Sequence, residues 1–332
     1  FLHCDILIIG GGPAGLAAGL AAGRSGARTI IADEDFLIGG RLNAETYEIN
    51  EGSGADWAAK TALDLLNLRN VRLLTRTTIY GAYDHGIYGA IERHTDHLAS
   101  SSGKPRQILW RIYSKRAILC AGATERPIAF GNNDRPGVML AGSVRAYVNR
   151  WGVTPGKRVV IFTNNDDGWR TAHDLIKKGV NVPAIIDARD RQALSEYPET
   201  RNFMHSQIID ATGRKGVSAL TLAQGQTIEA DCIAVAGGWN PNIHLTCHHR
   251  GHPFWRDDIA AFVPGLELPA GMTIAGAANG ALTLGATLKQ GTEAGITAAK
   301  DTGYNITSKE TPKADDEPYD TAAFWYVENS KR

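Results

Sequence analysis

The feature that most constrains this chain is the cluster Gly10-Gly11-Gly12-Pro13-Ala14-Gly15, set between the apolar run Cys4–Ile9 and the Ala-rich segment Leu16–Ser25. An apolar run, a glycine turn and a small-residue helical stretch read as strand, turn and helix. Gly26-Ala27 ends the helix, and 27–32 forms a second strand closed by Asp33-Glu34-Asp35. Together they make a βαβ unit of about 30 residues, whose crossover places the two strands parallel. In such a unit each glycine has a task. Gly10 permits the tight turn, Gly12 removes a Cβ that would block a pyrophosphate, and Gly15 lets helix and sheet approach closely. With Pro13 and Ala14 between these glycines, the turn runs into a helix start whose free N–H groups and positive dipole end suit an anion. Asp33 stands where adenosine-ribose hydroxyls would arrive, with Glu34 beside it. A carboxylate there favours NAD or FAD and disfavours a 2′-phosphate.

Weaker signals extend this site. Gly39-Gly40-Arg41-Leu42 could offer backbone N–H groups and a guanidinium to a second phosphate, or be a plain surface turn. Thr77-Thr78-Ile79 would bring backbone near the adenine, with Thr78 as the candidate contact. Ala121 and Gly122, following the strand that ends at Cys120, could let the chain pass close to a dinucleotide or simply pack. Gly276 follows a later strand, 272–275, at the far side of the same unit.

Strand, helix and strand recur about 150 residues on, at 156–162, 169–178 and 182–187. The fold class expected is therefore α/β, a Rossmann-like FAD/NAD(P)-binding fold with two dinucleotide-type lobes, the second inserted in the first. The expected division is 1–150 with 265–301 for the first lobe and 151–264 for the second. The polar stretch 302–332 is expected as a linker or tail, with the chain continuing beyond it. The second turn reads Thr163-Asn164-Asn165-Asp166-Asp167-Gly168 where glycines would be needed. Its amides and carboxylates can cap their own helix and repel phosphate, so a self-capped scaffold is expected there.

Composition removes other classes. Thirty-five Lys plus Arg balance 35 Asp plus Glu, which gives no basic field for nucleic acid or anionic lipid. No stretch of about 20 apolar residues suggests a membrane span, and the start lacks the order of a signal peptide; the missing initiator Met hints at a piece of a longer chain. Cys4, Cys120, Cys232 and Cys247 form no paired-thiol motif, as expected of a cytoplasmic protein with free thiols. Cys247-His248-His249-Arg250-Gly251-His252 matches no metal-ligand spacing, and no metal is expected. No catalytic residue can be assigned.

Several longer segments carry a more specific signal: Tyr83-Asp84-His85, 92–98 (ERHTDHL), Glu125-Arg126-Pro127, 133–140 (NDRPGVML), 162–166 (FTNND), Gly237-Gly238-Trp239-Asn240-Pro241 and 261–265 (AFVPG). With the first turn they resemble the two-dinucleotide-domain flavoproteins in fold, and more closely the alpha-subunit family of heterotetrameric sarcosine oxidases, from about Asp5 to Gly295. The resemblance implies a multi-subunit amine-oxidising complex converting sarcosine and O₂ to glycine, formaldehyde and peroxide. In that family the flavins are held largely by a companion beta subunit, smaller subunits complete the assembly, and the alpha subunit's first Rossmann unit holds NAD. The family's flanking ferredoxin-like and folate-binding regions lie outside this sequence, so the isolated chain is expected to be inactive. Alpha chains of opine and proline dehydrogenase complexes are related, which leaves the amine open.

FAD enzymes of this fold usually place a Gly-Asp pair after the last strand, whereas here Gly276 is followed by Ala277. NAD is therefore the expected cofactor, with FAD as the alternative. Two other functions stay in play: a free-standing FAD-dependent NAD(P)H oxidoreductase, and a scaffold with a vestigial nucleotide site. The loops 132–137 and 237–242 are expected to border the cleft between lobes.

Overall fold

The structure is a computed structural model that describes the chain except residues 102, 307, 315, 317, 329, 331 and 332. The apolar run at the start forms β1 (Leu2–Ile9), buried from Cys4 onward, and the turn leads into helix α1 (Pro13–Arg24) and strand β2 (Thr29–Ala32). β1 and β2 pair in parallel, Ile6 opposite Thr29 through Ile9 opposite Ala32. Helix α2 (Gly54–Leu66), capped by the Ser53 hydroxyl, then delivers strand Val71–Leu74 to the far side of β2.

On the other side of β1 lies the long strand Ile108–Leu119. Its outer half pairs antiparallel with Ile87–Glu92, which pairs in turn with Thr77–Tyr83. Its inner half accepts Met272–Ile274 in parallel. This seven-stranded sheet is the core of the first lobe, clad by α1 and α2 and by a helix that returns from the end of the chain.

The second lobe holds a fully parallel five-stranded sheet in the order Val138–Leu140, Cys232–Ala236, Val159–Thr163, Ala184–Asp187 and Arg201–Met204. Strands buried on both faces need no alternation, and the run Val159–Thr163 is wholly buried. Helix α3 (Ala141–Trp151) packs Ala141, Val144 and Val148 against this sheet together with α4 (Asp166–Lys177). The sequence division at 150 puts α3 in the first lobe, but its apolar face is spent on the second. A short ribbon, Ala123–Glu125 against Trp239–Pro241, joins the lobes where the chain crosses between them.

After Met272–Ile274 the last helix, α5 (Leu284–Asp301), returns to the first lobe and lies along α1, where Leu288, Ala298 and Ala299 complete the core. The inserted arrangement read from the sequence is thus the one observed. The described residues of 302–332 differ from the solvated tail that their polarity suggests. Tyr304, Ile306 and Ala314 pack on the first-lobe core, and Tyr304 donates its hydroxyl to buried Asp5 at 2.8 Å. Asp5 also pairs with Arg28 and Lys115, which hold its carboxyl below the usual range against the cost of burial. Farther on, 318–327 runs as a strap over the second lobe, with Val327 fully buried. Sparse apolar residues at wide spacing carry this packing, which is why composition alone reads the segment as a tail.

Candidate functional site

The first glycine turn opens on a cleft of about 700 Å³ between the lobes. Gly10, Gly12, Pro13, Ala14, Asp33, Glu34, Gly40, Arg41, Thr78, Ala121 and Gly122 all line it. Gly15 lies one layer beneath: a Cβ there would stand 1.9 Å from the Gly10 carbonyl oxygen, so it sets the approach of helix to turn. Gly276 also sits behind the wall, its missing Cβ facing Ala14 at 2.7 Å, and its neighbour Ala277 reaches the cleft instead.

Local chemistry distinguishes the two helix starts. Gly12 is the N-cap of α1, no side chain caps the helix, and its first turn holds no acid. A Cβ on Gly12 would meet nothing closer than Gly40 Cα at 3.9 Å, so this face of the turn is open space. Backbone donors at an uncapped helix start, facing an open cleft, form an anion cradle. At α4 the Asn165 side chain accepts the Asp167 N–H at 2.9 Å, and Asp166 and Asp167 fill the first turn. The strap fills what remains. Asp320 donates its backbone N–H to the Asp166 carboxylate at 2.8 Å and accepts the Asp166 N–H at 3.1 Å. The Asn164 amide donates to the carbonyls of Ala322 and Phe324, both at 2.8 Å. Asp187, which ends the strand equivalent to β2, is bound by Arg189 and by the Trp169 indole. Every polar feature of the second turn is therefore spent on the protein itself.

At the first site Asp33 accepts the N–H groups of Gly11 at 2.6 Å and Asp35 at 2.8 Å. Burial pushes its carboxyl above the ordinary range, and those two donors pull against that rise. The carboxylate thus braces the glycine turn while facing the cleft. Glu34 is exposed on the cleft rim. Arg41 lines the cleft with its guanidinium anchored on one side: Nη2 bonds Glu45 and Asp167, the latter at 2.9 Å, and the group lies 3.8 Å over the Trp239 ring. Two neighbouring carboxylates already share this one nitrogen.

The cleft wall also includes residues the sequence did not single out, among them Glu45, Tyr47, Arg170, His244 and Tyr319. Asp167, which the sequence places at its own helix start as a cap and a repellent for phosphate, also reaches the cleft. Burial alone would raise its carboxyl, but the Arg41 and Arg145 guanidiniums beside it hold it below its ordinary value. Behind Trp239, Glu125 is buried with one oxygen accepting the Gly142 N–H at 2.7 Å. Burial, aided by the charge of Asp167, pushes its carboxyl up to about 8. Nothing in the spacing of Glu125-Arg126-Pro127 marks this buried acid.

Loop 237–242 supplies Trp239 and Asn242 to the cleft, as expected. Loop 132–137 does not reach it. Asn132 bonds Asp210 at 2.6 Å and Pro136 accepts the Val217 N–H at 2.8 Å, because the loop is folded against the outer three-stranded sheet of the second lobe. His248 accepts the Ala82 N–H while His249 faces Asp84, so the His-rich run stitches a loop to a strand. Among the described residues no group of three or more His, Cys, Asp or Glu converges as a metal site. Burial pushes the Cys120 thiol, at the cleft wall, up to about 12, which leaves it protonated and unreactive at neutral pH. No helix among the described residues is long and apolar enough to cross a membrane.

These elements define an α/β oxidoreductase fold of the Rossmann-type FAD/NAD(P)-binding class. Residues 5–87 match the family described as FAD dependent oxidoreductase. Two solved structures share the fold: L-proline dehydrogenase from P. horikoshii (TM-score 0.73, 21% identity, 92% of this chain and 57% of that one) and thioredoxin reductase from T. acidophilum (TM-score 0.67, 16% identity, 91% and 99%). In sequence the chain is homologous to the alpha subunit of sarcosine oxidase, with 44% identity to that of Rhizobium meliloti strain 1021 over 87% of this chain and 30% of the relative. The chain spans about a third of the length of the sarcosine oxidase alpha subunits it matches.

Proposed function

We propose that this chain is the dinucleotide-binding part of the alpha subunit of a multi-subunit amine-oxidising complex, and that it holds one NAD in the first-lobe cleft. The contrast between the two helix starts carries the reading. One is uncapped, free of acid and open to the cleft; the other is capped by Asn165 and covered by the strap.

The residues fit such a cofactor. The α1 N-terminus and Gly12 would hold the pyrophosphate, the Asp33 carboxylate would accept the adenosine-ribose hydroxyls, and Thr78 would lie by the adenine. Gly40, Ala121, Gly122 and the Gly276 turn would shape the path of the remaining half, with Glu34 at the rim. Asp33 is held in place by two backbone donors, so it is oriented before any ligand arrives. NAD, when bound, supplies a nicotinamide able to exchange hydride.

Among the described residues the cleft wall carries one thiol, Cys120, which burial keeps protonated, so no thiolate or thiol pair stands there to receive it. A structural or regulatory NAD accords with that arrangement. Gly276 followed by Ala277 in place of an acid weighs against FAD. Amine oxidation is assigned to a flavin-binding companion subunit, with sarcosine as the substrate class suggested by the relatives' names.

A specific observation favours one other reading. The family match is to FAD-dependent enzymes, so FAD in the same cleft is the alternative. The test is to purify the chain, record its visible spectrum, and identify the nucleotide released on denaturation by mass spectrometry. Colourless protein with one NAD per chain is the expected result; yellow protein releasing FAD would replace NAD in this account.

A further inference from the structure

Behind the distal wall of the cleft lies a positively charged group with no counter-charge. Arg126 uses one guanidinium nitrogen, Nη1, to donate to the Ala260 carbonyl at 2.8 Å, and its plane stacks 4.3 Å from the Trp325 ring. Its other two nitrogens, Nε and Nη2, are buried and have no hydrogen-bond partner. Among the described residues Arg126 forms no ion pair, and burial lowers its basicity. The hydroxyls of Tyr319 and Thr321, brought in by the strap, are also buried, side by side, and beyond each other meet no partner.

These groups converge on one place. An imagined Cβ on Gly238 would lie 2.8 Å from Arg126 Nη2, 3.3 Å from Thr321 Oγ1 and 3.6 Å from Tyr319 Oη. Gly238 has φ +88°, so the position favours glycine on backbone grounds, and the missing side chain leaves the donors facing one another. A buried guanidinium edge with no acceptor, beside a hydroxyl pair with one proton left over, is costly, and the acceptor that would relieve them together is an oxyanion.

We propose that Arg126, Tyr319 and Thr321 form a binding site for the carboxylate of a small monocarboxylic acid of amino-acid size, entered from the cleft when the Tyr319 ring turns aside. The free Nε/Nη2 edge presents two parallel N–H donors, the spacing that a carboxylate accepts bidentately. Charge selects against phosphate. Arg126 is a single cation, and the charge of Asp167 is close enough to add to burial in raising the Tyr319 hydroxyl's pKa, so a dianion would be repelled. The site is independent of the nucleotide reading, since none of its three side chains belongs to the first glycine turn.

The test titrates the full chain with acetate and with glycine, using calorimetry and Trp fluorescence, with phosphate and chloride as competitors. Saturable carboxylate binding is expected, unaffected by Gly12→Val, weakened at least tenfold by Arg126→Gln, and not displaced by equimolar phosphate. Because Arg126 also supports Ala260 and Trp325, its replacement could unfold the lobe. Tyr319→Phe and Thr321→Val therefore run alongside, each expected to weaken binding severalfold with an unchanged melting temperature. No carboxylate binding by the wild type, equal binding by all variants, or displacement by phosphate at the same concentration would each overturn the assignment.

Discussion

Nη2 of Arg41 lies 2.9 Å from Oδ2 of Asp167, joining the loop behind the first glycine turn to the first turn of α4 in the other lobe. Glu45, Arg145 and Asp174 extend this contact into a buried network of alternating charge. In a fold whose two halves meet mainly along a cleft, such a network fixes their relative placement. Arg41→Met removes one cation and leaves Asp167 and Glu45 buried beside Arg145, with Arg170 at 3.8 Å from Asp167 as the other remaining cation. A cost of about 2–3 kcal/mol is expected, toward the low end for breaking a buried pair because the guanidinium keeps an exposed edge. Denaturant unfolding of Arg41→Met, Asp167→Asn and the double variant checks it, the double costing less than the sum.

Glu125 gives the protein a pH signature. Its carboxyl is raised from an ordinary 4.5 to about 8 by burial, so the folded state holds a proton that the unfolded chain releases. Wild-type stability should therefore fall as pH rises through this window, from about 5 to 8, and level off above it. Glu125→Gln keeps an acceptor for the Gly142 N–H and cannot ionise. Its melting temperature should match wild type near pH 5 and exceed it by several degrees at pH 9.

Asp33 has a double duty that an amide cannot fulfil. Asp33→Asn can accept only one of the two N–H groups, from Gly11 and Asp35, and turns a donor toward the other. A loss of about 1–3 kcal/mol in stability and at least tenfold in NAD affinity is expected. Calorimetry should also find NADP binding the wild type at least tenfold more weakly than NAD, since a 2′-phosphate would meet the Asp33 carboxylate.

Much of this was legible in the sequence, and the parts that were not have physical reasons. The turn Gly10–Gly15 and the acid at Asp33 announce themselves because each residue answers a local steric or electrostatic need. The degeneracy at Asn165, Asp166 and Asp167 was readable for the same reason. Arg41 is legible only in part, since its type suits a phosphate while its partners in the fold, Glu45 and Asp167, are four and 126 residues away. The strap was hidden because its hold on the second lobe is mostly backbone and amide hydrogen bonding, with Asn164, Asp320 and Trp325 standing in for an apolar pattern. Loop 132–137 has the composition of a cleft rim, and only the placement of the outer sheet shows what it packs against.

The strap also predicts a stoichiometry. Asn165→Gly restores a glycine at the second turn, but Asp166 and the strap still fill the helix start. One dinucleotide per chain is expected for both proteins by calorimetry. Asp320→Ala keeps the backbone bonds to Asp166 but removes the carboxylate that pairs with Arg189 and Arg191, and should loosen the strap, seen as faster amide exchange over 318–327, without adding a second nucleotide.

The central claim is that the first turn, at Gly12, is where the dinucleotide sits. Gly12 has φ −73° and open space at its Cβ, so Gly12→Val fits the fold while projecting into the cleft. The decisive measurement is calorimetric titration of NAD into wild type and Gly12→Val, with melting temperatures measured in parallel. The account predicts one site in the wild type and loss of binding by at least a hundredfold in a variant of near-normal stability. Full binding by a folded Gly12→Val would contradict it.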